Sequence, residues 1–149
     1  MSRFLEDWQL GEEIITKGRT IGEGDVSRFA GLTGDFHRNH TDAEYMRKTQ
    51  FGKRIVHGLF ALAISHGLLE QHGVLENTIA FLEIKDWKFQ SPIFFEDTVH
   101  VKAVVTDIKE SKSKPDRGVV TLKLEVINQH GVICQSGSKL LMVKKRNAK

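Results

Sequence analysis

Residues 58–69 read GLFALAISHGLL, the most apolar stretch of the chain. Its 12 residues fall well short of the roughly 20 that a membrane-spanning helix needs. A helix this apolar on nearly every side is expected to be enclosed by protein. What could enclose it lies downstream. Val99, Val101, Ala103 and Val105 alternate with His100, Lys102 and Thr106, only Val104 breaking the polar face, and Val120, Leu122, Leu124 and Val126 alternate with Thr121, Lys123 and Glu125. Period two is the signature of strands with one buried face. The polar run Glu110 to Gly118 (ESKSKPDRG) is expected to join these two strands as a hairpin, and Asn128-Gln129-His130-Gly131 to turn the chain into the next. Adding Thr78 to Phe89, Val132 to Lys144 and an early strand near Ile14 to Arg19 gives about five strands, an ordinary sheet size. The fold class is α+β, an antiparallel sheet wrapped around one buried helix, although periodicity alone also admits other α+β packings.

The rest of the chain adds bounds. At 149 residues it is expected to form a single domain, 1–149, with a core that needs no disulfide, and the lone Cys134 has no partner to form one. The first residues lack the basic start and apolar run of a signal peptide, so a cytoplasmic location and no membrane partner are expected. The net charge of +3 comes from 22 basic and 19 acidic residues. Five of the basic residues lie in 139–149 (KLLMVKKRNAK), which reads as a solvated tail and not as a nucleic-acid surface.

Upstream of the apolar helix, residues 32–42 read LTGDFHRNHTD and residues 43–58 read AEYMRKTQFGKRIVHG. Thr33, Gly34, Asp35, His40, Asp42, Phe51, Ile55, His57 and Gly58 match, in order and spacing, the signature S/T-G-D-x-N-P-x-H-x-D, a helix, then F-x-x-x-I-x-H-G. In this the chain resembles the MaoC-like and (R)-specific enoyl-CoA hydratase family. Trp87-Lys88-Phe89-x-x-Pro92 and Asp97-Thr98 extend the likeness, so that it covers about residues 20 to 143. The resemblance implies a hot-dog fold and a homodimer, or a dimer-based oligomer, with acyl-CoA pockets near the subunit interface. It also implies reversible hydration of a trans-2-enoyl-CoA to an (R)-3-hydroxyacyl-CoA. No cofactor is implied, CoA being part of the substrate.

Adding water to a conjugated thioester needs a polarised water at C3, a proton for C2 and charge relief at the thioester oxygen. Asp35 and His40 sit five positions apart in a segment framed by Gly34, from which a loop would aim a carboxylate and an imidazole at one water. By resemblance the two are jointly the acid/base pair, and the sequence leaves open which of them protonates C2. Gly58 opens the apolar helix, where free N–H groups and the helix dipole favour a developing oxyanion. By resemblance it is the oxyanion donor.

Other polar residues have plainer expectations. Asp42 reads as the N-cap of a helix starting at Ala43. His57 reads as a structural residue at the helix start, and His66 as a satisfied core histidine. His37 and Arg38 stand where the family most often has Asn-Pro, which frees the loop backbone and adds a cation that could meet a CoA phosphate or an acyl carboxylate, or simply point outward. His37, Arg38, His57 and His66 are therefore candidate substrate-binding residues. A thioesterase or a non-catalytic acyl-CoA-binding domain could use the same fold. A metal centre built from His37, His40, Asp42 and His57 is not expected, because their spacing matches no standard zinc arrangement.

Overall fold

In the computed structural model, residues 3–147 are described; Met1, Ser2, Ala148 and Lys149, which includes the last cation of the expected basic tail, lie outside them. Four helices precede or line the sheet: α1 (Glu23–Thr33), α2 (Arg38–Thr41), α3 (Ala43–Arg47) and α4 (Gly58–Gln71). The strands are β1 (Glu13–Ile15), β2 (Arg19–Thr20), β3 (Thr78–Phe89), β4 (Thr98–Glu110), β5 (Arg117–Ile127) and β6 (Ile133–Lys144). They form a six-stranded antiparallel sheet in the order β1-β4-β5-β6-β3, with β2 also on β4.

The alternating residues do what period two requires. Val99, Val101, Ala103, Val105, Val120, Leu122, Leu124 and Val126 are all buried, and they join Ala61, Ile64, Leu68 and Leu69 of α4 in one core. The polar run between β4 and β5 shortens to residues 111–116, because the strands extend into it.

Three expectations change. The single early strand is two pieces, so the strands number six and not about five. At the break, Thr16 uses its side chain where a strand would use its carbonyl: its hydroxyl accepts from the N–H of Val101 at 2.9 Å and donates to the carbonyl of Lys17. The second change is to α4, which is not enclosed on every side. Leu59, Ala63 and Glu70 are exposed along one face, Leu59 at 64%. That face adjoins β3, where a Cβ on Gly58 would meet the ring of Phe89 at 2.8 Å and where His66 stands 5.2 Å from the ring of Phe81. The third change is to the basic tail. Lys139 is 1% exposed and faces the core with Leu141 and Val143, while Lys145 and Arg146 pair with Glu110 and Asp7.

Candidate active site

The segment carrying Asp35 is built by a helix end. α1 stops at Gly34, whose φ of +79° is left-handed and whose N–H bonds the carbonyl of Ala30 at 2.8 Å. Glycine takes that conformation without the Cβ clash other residues suffer. The chain is thereby turned off the helix axis at Asp35. The Asp35 N–H then donates to Thr33 Oγ1, and its own Oδ1 accepts from the N–H of His37, an Asx-type turn. His37 caps α2 in turn, its Nδ1 accepting from the N–H of Asn39 at 3.2 Å. So the second member of the pair, His40, stands on a short helix and not on the loop the sequence suggested. Asp42 ends that helix and caps α3, its Oδ1 accepting from the Tyr45 N–H at 2.8 Å.

Folding brings Asp35 and His40 together with His57. One nitrogen or carboxylate oxygen from each lies within 4.8 Å of the others. His40 Nδ1 is 2.7 Å from the carbonyl oxygen of Ile55. A carbonyl can only accept, so Nδ1 carries the hydrogen and Nε2 of the neutral ring keeps its lone pair. Burial pushes the His40 pKa below its ordinary value, against the opposing pull of the Ile55 carbonyl, which favours that neutral ring near pH 7.

His57 supports both members of the pair. It is 2% exposed, its ring stacks on His40 with centroids 3.7 Å apart, and its Nε2 donates to the backbone oxygen of Asp35 at 2.9 Å. Its Nε2 is also 3.9 Å from Asp35 Oδ2. Nothing in the sequence signalled this contact, because it closes only when α4 packs under the loop. His57 Nδ1 is buried without a hydrogen-bond partner.

Gly58 follows directly as the first residue of α4, where the N–H has no partner within the helix. It borders a cleft of about 570 Å³ whose walls include Phe51, Ile55, Leu59, Phe89 and Gln135. Gln135 is 3% exposed and donates to the Gly58 carbonyl at 3.0 Å, and it also accepts from Trp87 Nε1 at 3.2 Å. His40 borders a smaller cavity of about 200 Å³ with Phe36 and Arg54. Ile55 links the two spaces, since its carbonyl holds His40 and its side chain lines the larger cleft. The side chain of Asp35 is 49% exposed and Phe36 is 62% exposed, so this chain alone does not wall off the pair.

The remaining candidates separate. Arg38 lies over the Tyr45 ring at 3.8 Å and reaches Asp42 at 3.4 Å, with 59% of its side chain exposed. It points outward and does not line the cleft beside Gly58. His66 sits beyond the cleft on the open side of α4, and its Nδ1 is buried with no partner, so it is not a satisfied core histidine. The four residues first considered for a metal do not gather; the possible ligand group keeps His40 and His57 and replaces His37 and Asp42 with Asp35.

The family profile described as MaoC like domain matches residues 7–128, most of the chain. The chain belongs to the MaoC-like dehydratase family. Protein MaoC of Klebsiella aerogenes is 33% identical over 67% of this chain, although the chain spans only 30% of that relative's length. An (R)-specific enoyl-CoA hydratase of Aeromonas caviae is 28% identical, with 83% of this chain and 87% of that one aligned. The MaoC-like domain superposes on a solved Archaeoglobus fulgius protein described as a monoamine oxidase regulatory protein with TM-score 0.88, at 37% identity over 97% and 95% of the two chains. It also superposes, with TM-score 0.86 at 15% identity, on a Mycobacterium tuberculosis protein with a double hot-dog fold, covering 99% of this chain and 46% of that one. The fold is hot-dog.

Among the described residues no helix is long and apolar enough to cross a membrane.

Proposed function

We propose that this MaoC-like domain is a hydro-lyase that reversibly hydrates trans-2-enoyl-CoA to (R)-3-hydroxyacyl-CoA. The observation that carries the reading is the meeting of Asp35 and His40, with Nε2 of His40 left as an acceptor, beside the N-terminus of α4. In the hydration direction, the pair holds a water, and its oxygen bonds to C3 of the enoyl thioester as His40 Nε2 and the Asp35 carboxylate draw off one proton. The electron pair of the C2–C3 double bond moves toward the thioester oxygen, whose growing charge meets the N–H of Gly58 and the positive end of the α4 dipole. A proton returned by the pair to C2 completes the addition, and dehydration reverses each step. An oxyanion donor of this kind is worth about 3 to 4 kcal/mol of barrier. The (R) configuration rests on the likeness to the named hydratases.

A second copy of the chain completes the site in this reading. β3 is an edge strand of 12 residues carrying Phe81, Leu82 and Ile84 at 44%, 45% and 38% exposure, next to the open face of α4. Long exposed apolar edges are rare in lone domains and are covered in assemblies. Pairing there would also cover Leu59 and shelter the half-exposed Asp35.

The experiment is to follow the conjugated-thioester absorbance of crotonyl-CoA while assaying free thiol. Loss of absorbance without thiol is the expected result. Thiol release would make the protein a thioesterase, and binding without either change would make it an acyl-CoA carrier.

A further inference from the structure

Lys139 is among the largest side chains fully buried in the protein, at 1% exposure. Its Nζ donates to Ser65 Oγ at 3.2 Å, and Ser65 in turn donates to the Leu62 carbonyl at 2.6 Å. An ammonium has three N–H donors, and the other contacts of this one are the rings of Phe81 and Trp87, 5.5 and 5.8 Å from Nζ. Among the described residues no acid pairs with it, and burial pushes its pKa down to about 8. Beside it, His66 keeps a buried Nδ1 without a partner, with the Phe81 ring 5.2 Å away. As part of a purely structural core this arrangement is a poor choice, because an apolar residue of similar volume generally serves stability as well or better.

The place of this cluster in the fold gives it a use. α4 and β3 run side by side, in contact at Gly58 and Phe89 at one end and at His66 and Phe81 further along. The first end is the cleft where a thioester oxygen would meet Gly58. Gln135 ties that cleft to Trp87, and Lys139 follows Gln135 on the same inward face of β6. Ser65 lies seven residues beyond Gly58 and so on the same side of α4, about 10 Å along its axis at 1.5 Å per residue. The cleft itself is lined as far as Gly58, Leu59 and Gln135, and an acyl chain continuing from it between α4 and β3 would be directed toward Ser65, His66 and Lys139. Phe81, 44% exposed, is the side chain standing over that end.

We infer that Ser65, His66 and Lys139 form the specificity-determining end of the acyl pocket and select chains that carry a carboxylate at the end remote from the thioester. The carboxylate supplies the counter-charge that the buried amine lacks and accepts its unused N–H groups. This rests on the acyl-CoA reading above and names the substrate class within it.

The test compares binding of two unreactive saturated thioesters by the intact protein: octanoyl-CoA and the mono-CoA thioester of suberic acid. They differ in ending on a methyl or a carboxylate. The wild type is expected to bind the carboxylate form at least about tenfold more tightly, the factor set by one hydrogen bond to a charged group. Lys139→Met, and independently Lys139→Gln, are expected to reverse that preference while still binding octanoyl-CoA, which also reports that each variant is folded. Equal affinity in the wild type, a preference for the methyl end, or a preference unchanged in both variants overturns the inference. Hydration of crotonyl-CoA without the preference would leave the proposed reaction standing and this pocket refuted. The preference without any hydration would do the reverse, and no binding of either thioester would sink both.

Discussion

At the scale of single residues, the chemistry turns on the tautomer of His40. Its Nδ1 hydrogen is committed to the Ile55 carbonyl, and burial depresses its pKa below 6.5. A depressed pKa means that the neutral, proton-accepting ring prevails at lower pH than in a free imidazole. kcat/KM for hydration is therefore expected to fall on the acid side with an apparent pKa under 6.5; an acid limb centred above 6.5 would show that some other group is the acceptor. Asp35 and His40 stood out in the sequence through the likeness of the whole motif from Thr33 to Gly58, since their local spacing alone reads as turn chemistry. The support from His57 was not legible there, because the stack on His40 and the bond to the Asp35 backbone join residues far apart in the chain. Lys139 was missed for a different reason: grouped with the cations that follow it, it reads as tail. Its parity with Leu141 and Val143 on β6 was the available signal that it points inward.

Among the elements, the alternating stretches 99–105 of β4 and 120–126 of β5 were legible because each strand has one buried face, while their ends run further into the polar connection than the pattern marked. β3 obeys no such rule. It is exposed along most of its length, carries apolar side chains there, and its pairing with β6 slips at three places. The same condition explains why α4 looked enclosed: its apolar residues outnumber those that this chain covers, and the open stripe beside β3 is the remainder. If a second copy covers that stripe, Leu82→Lys, which puts a charge on the β3 edge, is expected to shift the protein toward monomer in sedimentation velocity and to lower hydration with it. A wild type that sediments as a monomer at the concentrations of the assay would contradict the assembly.

For the whole molecule, the buried amine ties stability to pH. Lys139 has a folded-state pKa of about 8 against an ordinary 10.5. Between these values the unfolded chain holds a proton that the folded chain has released, so unfolding free energy rises with pH across that window. The gain should be on the order of 3 kcal/mol, and the penalty is fully present below pH 8. Urea unfolding of the wild type and of Lys139→Met at a series of pH values checks this: the difference between them should shrink from pH 8 to 10.5, and a difference independent of pH would mean that the amine is not held in a desolvated site.

The measurement that bears most directly on the central claim is loss of the crotonyl-CoA double bond by the wild type, Asp35→Asn and His40→Ala, with free thiol followed in parallel. Hydration by this pair requires that the wild type consume the double bond without releasing thiol. Each variant should then lose at least about a hundredfold in kcat, the lower end of what a positioned acid or base contributes. Wild-type activity that survives either substitution nearly intact would contradict it.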